Sequence, residues 1–394
     1  MDPGETRLQR VLARHRDAAL VEHRSGRHTV IRRDQVLADP RDTEVLDSSL
    51  ARWTRAREDV AGAARYHLRP EAGIDVGELV SDLRGDGNAG YLSLSPNHLI
   101  RGEPGWFMGP ASVPAPAREV PAPPAPAAEH PTTVAVLDTG ISAHPWFDDR
   151  DWYSPQHQAS VAEVLDANLD HELDSQAGHG TFIAGVVLQH APAAHLEIRR
   201  VLGSDGICDE LDLVRALHDL RQHRDQGGSV DIVNLSLGCY TFDDEPTPVV
   251  QRVIESFGTE TVFVCCAGND ASDRPFWPGA LESALAVAAL GAHGEERAAF
   301  SNYGQWVDAC AVGEDLCSSF VHFDGAAPAI HRADPDDFDG YARWSGTSFA
   351  APAVAGEIAA RREAAGTTAA EAAATLLDPS STQCLPGLGA VVRS

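Results

Sequence analysis

Three short runs of almost unbroken apolar residues, VDIVNLSLG (230–238), TVFVCCAGN (261–269) and SALAVAALG (283–291), constrain the fold of this chain more than any other feature. Runs of that kind are strands covered on both faces, the situation inside a parallel sheet. TTVAVLD (132–138) and HLEIRRVL (195–202) read as further strands. A helix opens near TFIAGVVLQH (181–190). Another spans DELDLVRALHDLRQHRDQ (209–226), with Leu211, Leu213, Val214, Leu217 and Leu220 near one face. Alternating strands and helices predict an α/β domain: a mainly parallel sheet with helices on both sides, three layers in all.

The sharpest boundary lies at VPAPAREVPAPPAPAAEHP (113–131). A Pro/Ala run of this kind cannot hold a helix or a sheet interior and reads as a semi-rigid extended spacer. It separates a smaller region, 1–112, from a larger one, 132–394. In the smaller region the first sixty residues are polar and weakly patterned. ARYHLRP (64–70), DVGELVSDLR (75–84) and YLSLSPNHLI (91–100) then read as strand, helix and strand, part of a small α+β domain.

With 31 basic against 58 acidic residues the chain carries a net charge of −27, which argues against a nucleic acid or an anionic membrane as partner. The charged start lacks the apolar run of a secretory signal, and no stretch approaches the ~20 apolar residues of a membrane span. Both point to the cytoplasm. The seven cysteines lack metal-ligand spacing and do not form a disulfide framework. Cys265 and Cys266 read as core thiols, and Cys310 and Cys317 are the pair that could join.

Three motifs carry chemistry. Asp138 closes a buried strand in VAVLDTGI, His179 starts a helix in GHGTFIAG, and Ser348 sits at the mouth of a small-residue helix in SGTSFAAP. Each is ambiguous alone. Asp-Thr-Gly after an apolar strand also marks aspartic proteases, which need two such carboxylates, and this chain has one copy. In open α/β sheets, residues at the carboxyl ends of strands converge on one site. The chain order Asp, His, Ser differs from the orders of chymotrypsin and the α/β-hydrolases.

On these motifs the region from about Thr132 onward resembles the catalytic domain of the subtilisin family, the subtilases. The resemblance implies a three-layer subtilisin-like fold and a serine endopeptidase working through an acyl-enzyme. Ser348 would be the nucleophile and His179 its base, since imidazole takes and returns a proton near neutrality. Asp138 would orient the imidazole and stabilise its charged form. Asn269 in CCAGND matches the family's oxyanion asparagine, to act beside the backbone N–H of Ser348. Ser236, Leu237 and Gly238 match the substrate-binding segment, which pairs with an extended peptide as an added strand. Gly268 would border the pocket before the scissile bond, and Phe300–Gly304 matches a further landmark. The chemistry requires no cofactor and no metal, and the partner is a protein or peptide substrate. Structural calcium, frequent in the family, has no assignable ligand set here.

Several readings stay open. Residues 1–112 are either a prodomain cut off within 113–131 or a lasting regulatory module that binds a partner. Asp270, with Asp243, Asp244 and Glu245, either favours basic or polar substrate residues or forms a solvated acidic surface. Asp166, Asp170, His171, Glu172 and Asp174 read as a solvated loop rather than a metal site. The alternative function is a catalytically silent, peptide-binding or regulatory subtilase fold.

Overall fold

The computed structural model describes residues 3–22, 28–85, 92–102, 113–325 and 337–393. The N-terminal region runs α1 (Pro3–Arg14), β1 (Ala18–Glu22), β2 (His28–Ala38), α2 (Thr43–Leu50), β3 (Thr54–Val60), β4 (Ala63–Leu68), α3 (Val76–Gly85) and β5 (Leu94–Arg101). The long strand β2 is its hub, antiparallel to β1, β4 and β5, and β3 extends the sheet beyond β4. Ile31, Val36, Leu46, Leu50, Tyr66, Val80 and Leu94 make its core. The strand, helix and strand expected over 64–100 are β4, α3 and β5. The first sixty residues hold five further elements. Their pattern is weak because β2 carries Arg32-Arg33-Asp34-Gln35 in mid-strand and β3 is exposed at most positions.

The larger region begins with β6 (Ala115–Pro116), β7 (Thr133–Asp138), α4 (Pro155–Ser160), α5 (His179–His190), β8 (His195–Arg200), β9 (Ile207–Asp209) and α6 (Glu210–Asp225). It continues through β10 (Ile232–Leu235), α7 (Pro248–Glu255), β11 (Val262–Cys266), β12 (Leu285–Leu290), β13 (Ala309–Val312), β14 (Leu316–Asp324) and β15 (Asp337–Trp344). It ends with α8 (Thr347–Ala365), α9 (Ala369–Leu376), β16 (Cys384–Leu385) and β17 (Gly389–Val391). The main sheet has the order β8-β7-β10-β11-β12-β13-β17-β16, parallel except for the terminal β16–β17 hairpin.

Neighbouring side chains on one strand enter different cores. Val134 and Val136 pack with residues of α5 and α8, whereas Ala135 and Leu137 pack with residues of α6 and α7. Cys266 and Cys265 divide in the same way. These strands lack a wet face, which is why their sequences are apolar at consecutive positions. The three-layer α/β/α arrangement expected from the sequence is the one observed. All seven cysteines are free thiols, so Cys310 in β13 and Cys317 in β14 do not join.

Two features depart from the sequence reading. The hairpin of β14 and β15 packs on α5 through Ser318 and Ser319, whose hydroxyls donate to the carbonyls of Phe182 and Thr181, both at 2.9 Å. The Pro/Ala run is extended but docked: β6 pairs with β15, and Val120 packs against the core beneath.

His144 ties the loop after β7 to this hairpin. Its Nε2–H donates to the Gly340 carbonyl (3.0 Å), and Nδ1 accepts from the Trp146 N–H (3.2 Å). Burial pulls the imidazole down from 6.5 to about 4. A depressed folded pKa means the stability contributed is complete above about 6.5 and is lost as pH falls toward about 4. The loss should approach about 3 kcal/mol. Urea midpoints of wild type and His144→Gln across that window should diverge accordingly. Parallel profiles would remove His144 as the cause.

Candidate active site

Strand β7 delivers Asp138 at its carboxyl end, where the side chain is fully buried. Its Oδ1 accepts from the Thr139 N–H (2.8 Å), the Thr139 hydroxyl (3.3 Å) and His179 Nδ1 (2.8 Å). His179 is the first residue of α5, placed by Gly178 in the left-handed region at φ +86°. A Cβ at Gly178 would meet the Phe320 ring at 2.3 Å, so only glycine fits. The start of α5 is held by Glu163. Its carboxylate accepts from the Gly178 N–H and from the N–H and hydroxyl of Thr181, both 2.9 Å. Burial pushes the Glu163 carboxyl up to about 7 against the pull of those donors. Trp344 stands edge-on to the His179 ring at 5.3 Å, and Phe349 packs beside it.

Ser348 is the second residue of α8. Four residues on, Pro352 has no N–H to give to the Ser348 carbonyl. The Ser236 hydroxyl supplies that bond instead, at 2.7 Å, and itself accepts from Asn234 Nδ2 at 2.9 Å. Serine at 236 therefore joins the 236–238 segment to the helix carrying Ser348. Asn269 is anchored through Oδ1, which accepts from the N–H and hydroxyl of Thr347 at 2.8 and 2.9 Å. With the oxygen so engaged, its NH2 group is the donor left for a ligand.

The expected binding segment is already engaged. The Arg101 N–H donates to the Gly238 carbonyl and the Gly238 N–H to the Arg101 carbonyl, both at 2.9 Å. On the other side β5 pairs antiparallel with β9, and the Gly102 N–H donates to the Gly206 carbonyl at 3.0 Å. The N-terminal region thus lays its last strand in the cleft as an added strand. The Ser348 hydroxyl lies 3.3 Å from the Gly102 carbonyl and 3.4 Å from that of Ser236. A Cβ on Gly102 would sit 3.7 Å from His179 Cε1. Among the described residues no hydrogen bond joins Ser348 to His179.

Gly238 has no room for a side chain, since a Cβ would meet Phe276 at 2.4 Å. Gly268 takes φ +96°, and its N–H donates to the Thr347 hydroxyl oxygen at 3.1 Å. Leu237 points into the core with α6 and can serve a ligand only through its backbone. Among the acids, Asp243 pairs with Arg84 of α3, Asp244 with Arg274, and Asp270 with Arg101 at 2.9 Å. Asp166, Asp170 and Asp174 accept backbone N–H groups of their own loop. Among the described residues no three His, Cys, Asp or Glu side chains group as a metal site, and no helix is long and apolar enough to cross a membrane.

Sequence reasoning did not single out Arg101, Gly102, Glu163 or Trp344, and it took Asn302 only as part of a landmark. Asn302 is a buried hub: its amide donates to the Tyr240 hydroxyl (2.7 Å) and the Ala267 carbonyl (2.8 Å) and accepts from the Asp270 and Ser272 N–H groups (3.0 Å each). An asparagine two residues after apolar Phe300 was the available signal.

A model of the subtilase family of peptidases matches residues 129–385. The chain is 30% identical over 234 residues to a thermophilic serine proteinase of Bacillus sp. (strain AK1), covering 57% of this chain and 50% of that protein. It is 31% identical over 238 residues to Subtilisin BL of Lederbergia lenta, covering 57% of this chain and 74% of that protein. The solved protease domain of PatA superposes with a TM-score of 0.52 at 25% identity, covering 68% of this chain and 93% of that one. The chain thus spans about half the length of the first relative and three quarters of the second.

Proposed function

The chain belongs to the subtilase family of serine endopeptidases, and on that premise we propose that it hydrolyses peptide bonds through an acyl-enzyme on Ser348. His179 takes the hydroxyl proton and returns it to the leaving amine. Asp138 holds the imidazole and balances its positive charge. The Asn269 amide and the Ser348 N–H, at the positive end of α8, receive the oxyanion. These groups need no cofactor for that chemistry. The substrate is an extended peptide lying between Gly238 and the β9 side of the cleft. The observation that carries this reading is a peptide carbonyl, that of Gly102, held 3.3 Å from Ser348 Oγ by the same backbone pairing a substrate would use.

By the same reading residues 1–112 are an inhibitory domain, 113–131 its docked tether and 132–394 the peptidase. Support comes from the charge at their junction. His15, Arg32, Arg84, His98 and Arg101 meet Asp205, Asp209, Asp243, Glu210 and Asp270 across it. The reverse pairing, Arg252 with Asp39, also occurs.

A fluorophosphonate probe tests the chemistry, since labelling needs an activated serine. The full chain should label at Ser348 alone, slowly, and Ser348→Ala should not label. A folded chain that stays unlabelled even after β5 is loosened by His98→Leu would leave only a silent peptide-binding fold.

A further inference from the structure

The strand in the cleft also indicates which side chain the cleft is built to hold. Arg101, paired through its backbone with Gly238, directs Nη2 at Asp270 Oδ2 at 2.9 Å, and its Cζ lies 5.6 Å from the centre of the Tyr240 ring. The Asp270 side chain is only 8% exposed and that of Arg101 17%. The backbone that carries the carboxylate, and the ring, are held without help from Arg101, while Asp270 Oδ1 is buried with no hydrogen-bond partner among the described residues. Asn302 accepts the Asp270 N–H and donates to the Tyr240 hydroxyl. Arg274, on the same ring, spends its guanidinium on Asp244 and the Thr241 carbonyl. A nearly buried carboxylate is costly to leave without a cation, and an aromatic face beside it favours a planar guanidinium over a neutral side chain.

We infer that Asp270 is a specificity determinant, selecting arginine as the substrate residue that exchanges both backbone hydrogen bonds with Gly238, and that Arg101 is the chain's own stand-in for it. The inference rests on the peptidase reading for calling that ligand a substrate, and the test separates the two.

The probes are a fluorescent hexapeptide copying residues 97–102, Asn-His-Leu-Ile-Arg-Gly, and its counterpart with Gln for Arg. They are titrated by anisotropy into the full chain carrying Ser348→Ala, to prevent cleavage, and Arg101→Ala, to weaken the internal competitor. The Arg peptide should bind about tenfold or more tighter, the scale of a charge-assisted hydrogen bond. Adding Asp270→Asn, which leaves the backbone bond to Asn302 in place, should bring the ratio to about one. Equal affinities, no saturable binding of the Arg peptide, or a preference that survives Asp270→Asn would each overturn the inference. Absence of fluorophosphonate labelling in the Ser348-bearing Arg101→Ala chain would instead count against the peptidase reading and leave the binding result standing.

Discussion

Asp138→Asn lowers kcat for peptide hydrolysis by about a hundredfold, the upper end of what a hydrogen bond to a charged group contributes. The geometry specifies how. In many triads the amide can turn its NH2 toward the imidazole and force the wrong tautomer. Here Oδ1 receives the Thr139 N–H, the Thr139 hydroxyl and His179 Nδ1–H together, so an asparagine keeps its oxygen at that place. The imidazole stays oriented, and the loss falls on the charge that balances imidazolium in a buried site. The variant should therefore remain folded, with a melting temperature near that of wild type, while kcat collapses. A loss below tenfold in the folded variant would show that Asp138 does not do this work.

His98→Leu speeds fluorophosphonate labelling of Ser348 in the full chain by about a hundredfold. His98 in β5 and Glu210 at the start of α6 lie 2.7 Å apart, each 1% exposed. Burial pushes the Glu210 carboxyl up, and His98 pulls it back down. Removing one partner strands a buried charge, at a cost of about 3–5 kcal/mol. That cost is relieved if β5 leaves the cleft, and about 1.4 kcal/mol changes the open fraction tenfold. The double variant His98→Leu with Glu210→Leu should restore slow labelling, because two apolar side chains replace a buried pair at little cost. A single variant that labels at the wild-type rate would disconnect β5 from the control of Ser348.

Much of the fold was legible because its causes are local or periodic. Strands β11 and β12 announce themselves by apolar residues at every position, β10 by all but Asn234, and α6 by its leucine face. The hairpin of β14 and β15 was not, since DFDGYARW puts glycine and alanine at two of its four buried positions and its partner strand carries two serines turned inward to carbonyls of α5. Nor did the start of the chain reveal its sheet, whose central strand places Arg32 where it meets Asp209, far away in the chain, at 2.9 Å.

By itself the amino-acid sequence determined the layered α/β architecture and the three motifs at strand and helix ends, because both rest on short-range pattern and on backbone needs that only certain residues meet. Tertiary structure alone decided that Glu163 holds the start of α5, that the Ser236 hydroxyl completes the bond Pro352 cannot make, and that Arg101 and Gly102 lie in the cleft. Those facts join residues 15 to 246 positions apart. Side chains so distant share no periodicity, and only the folded chain brings a donor within reach of its acceptor.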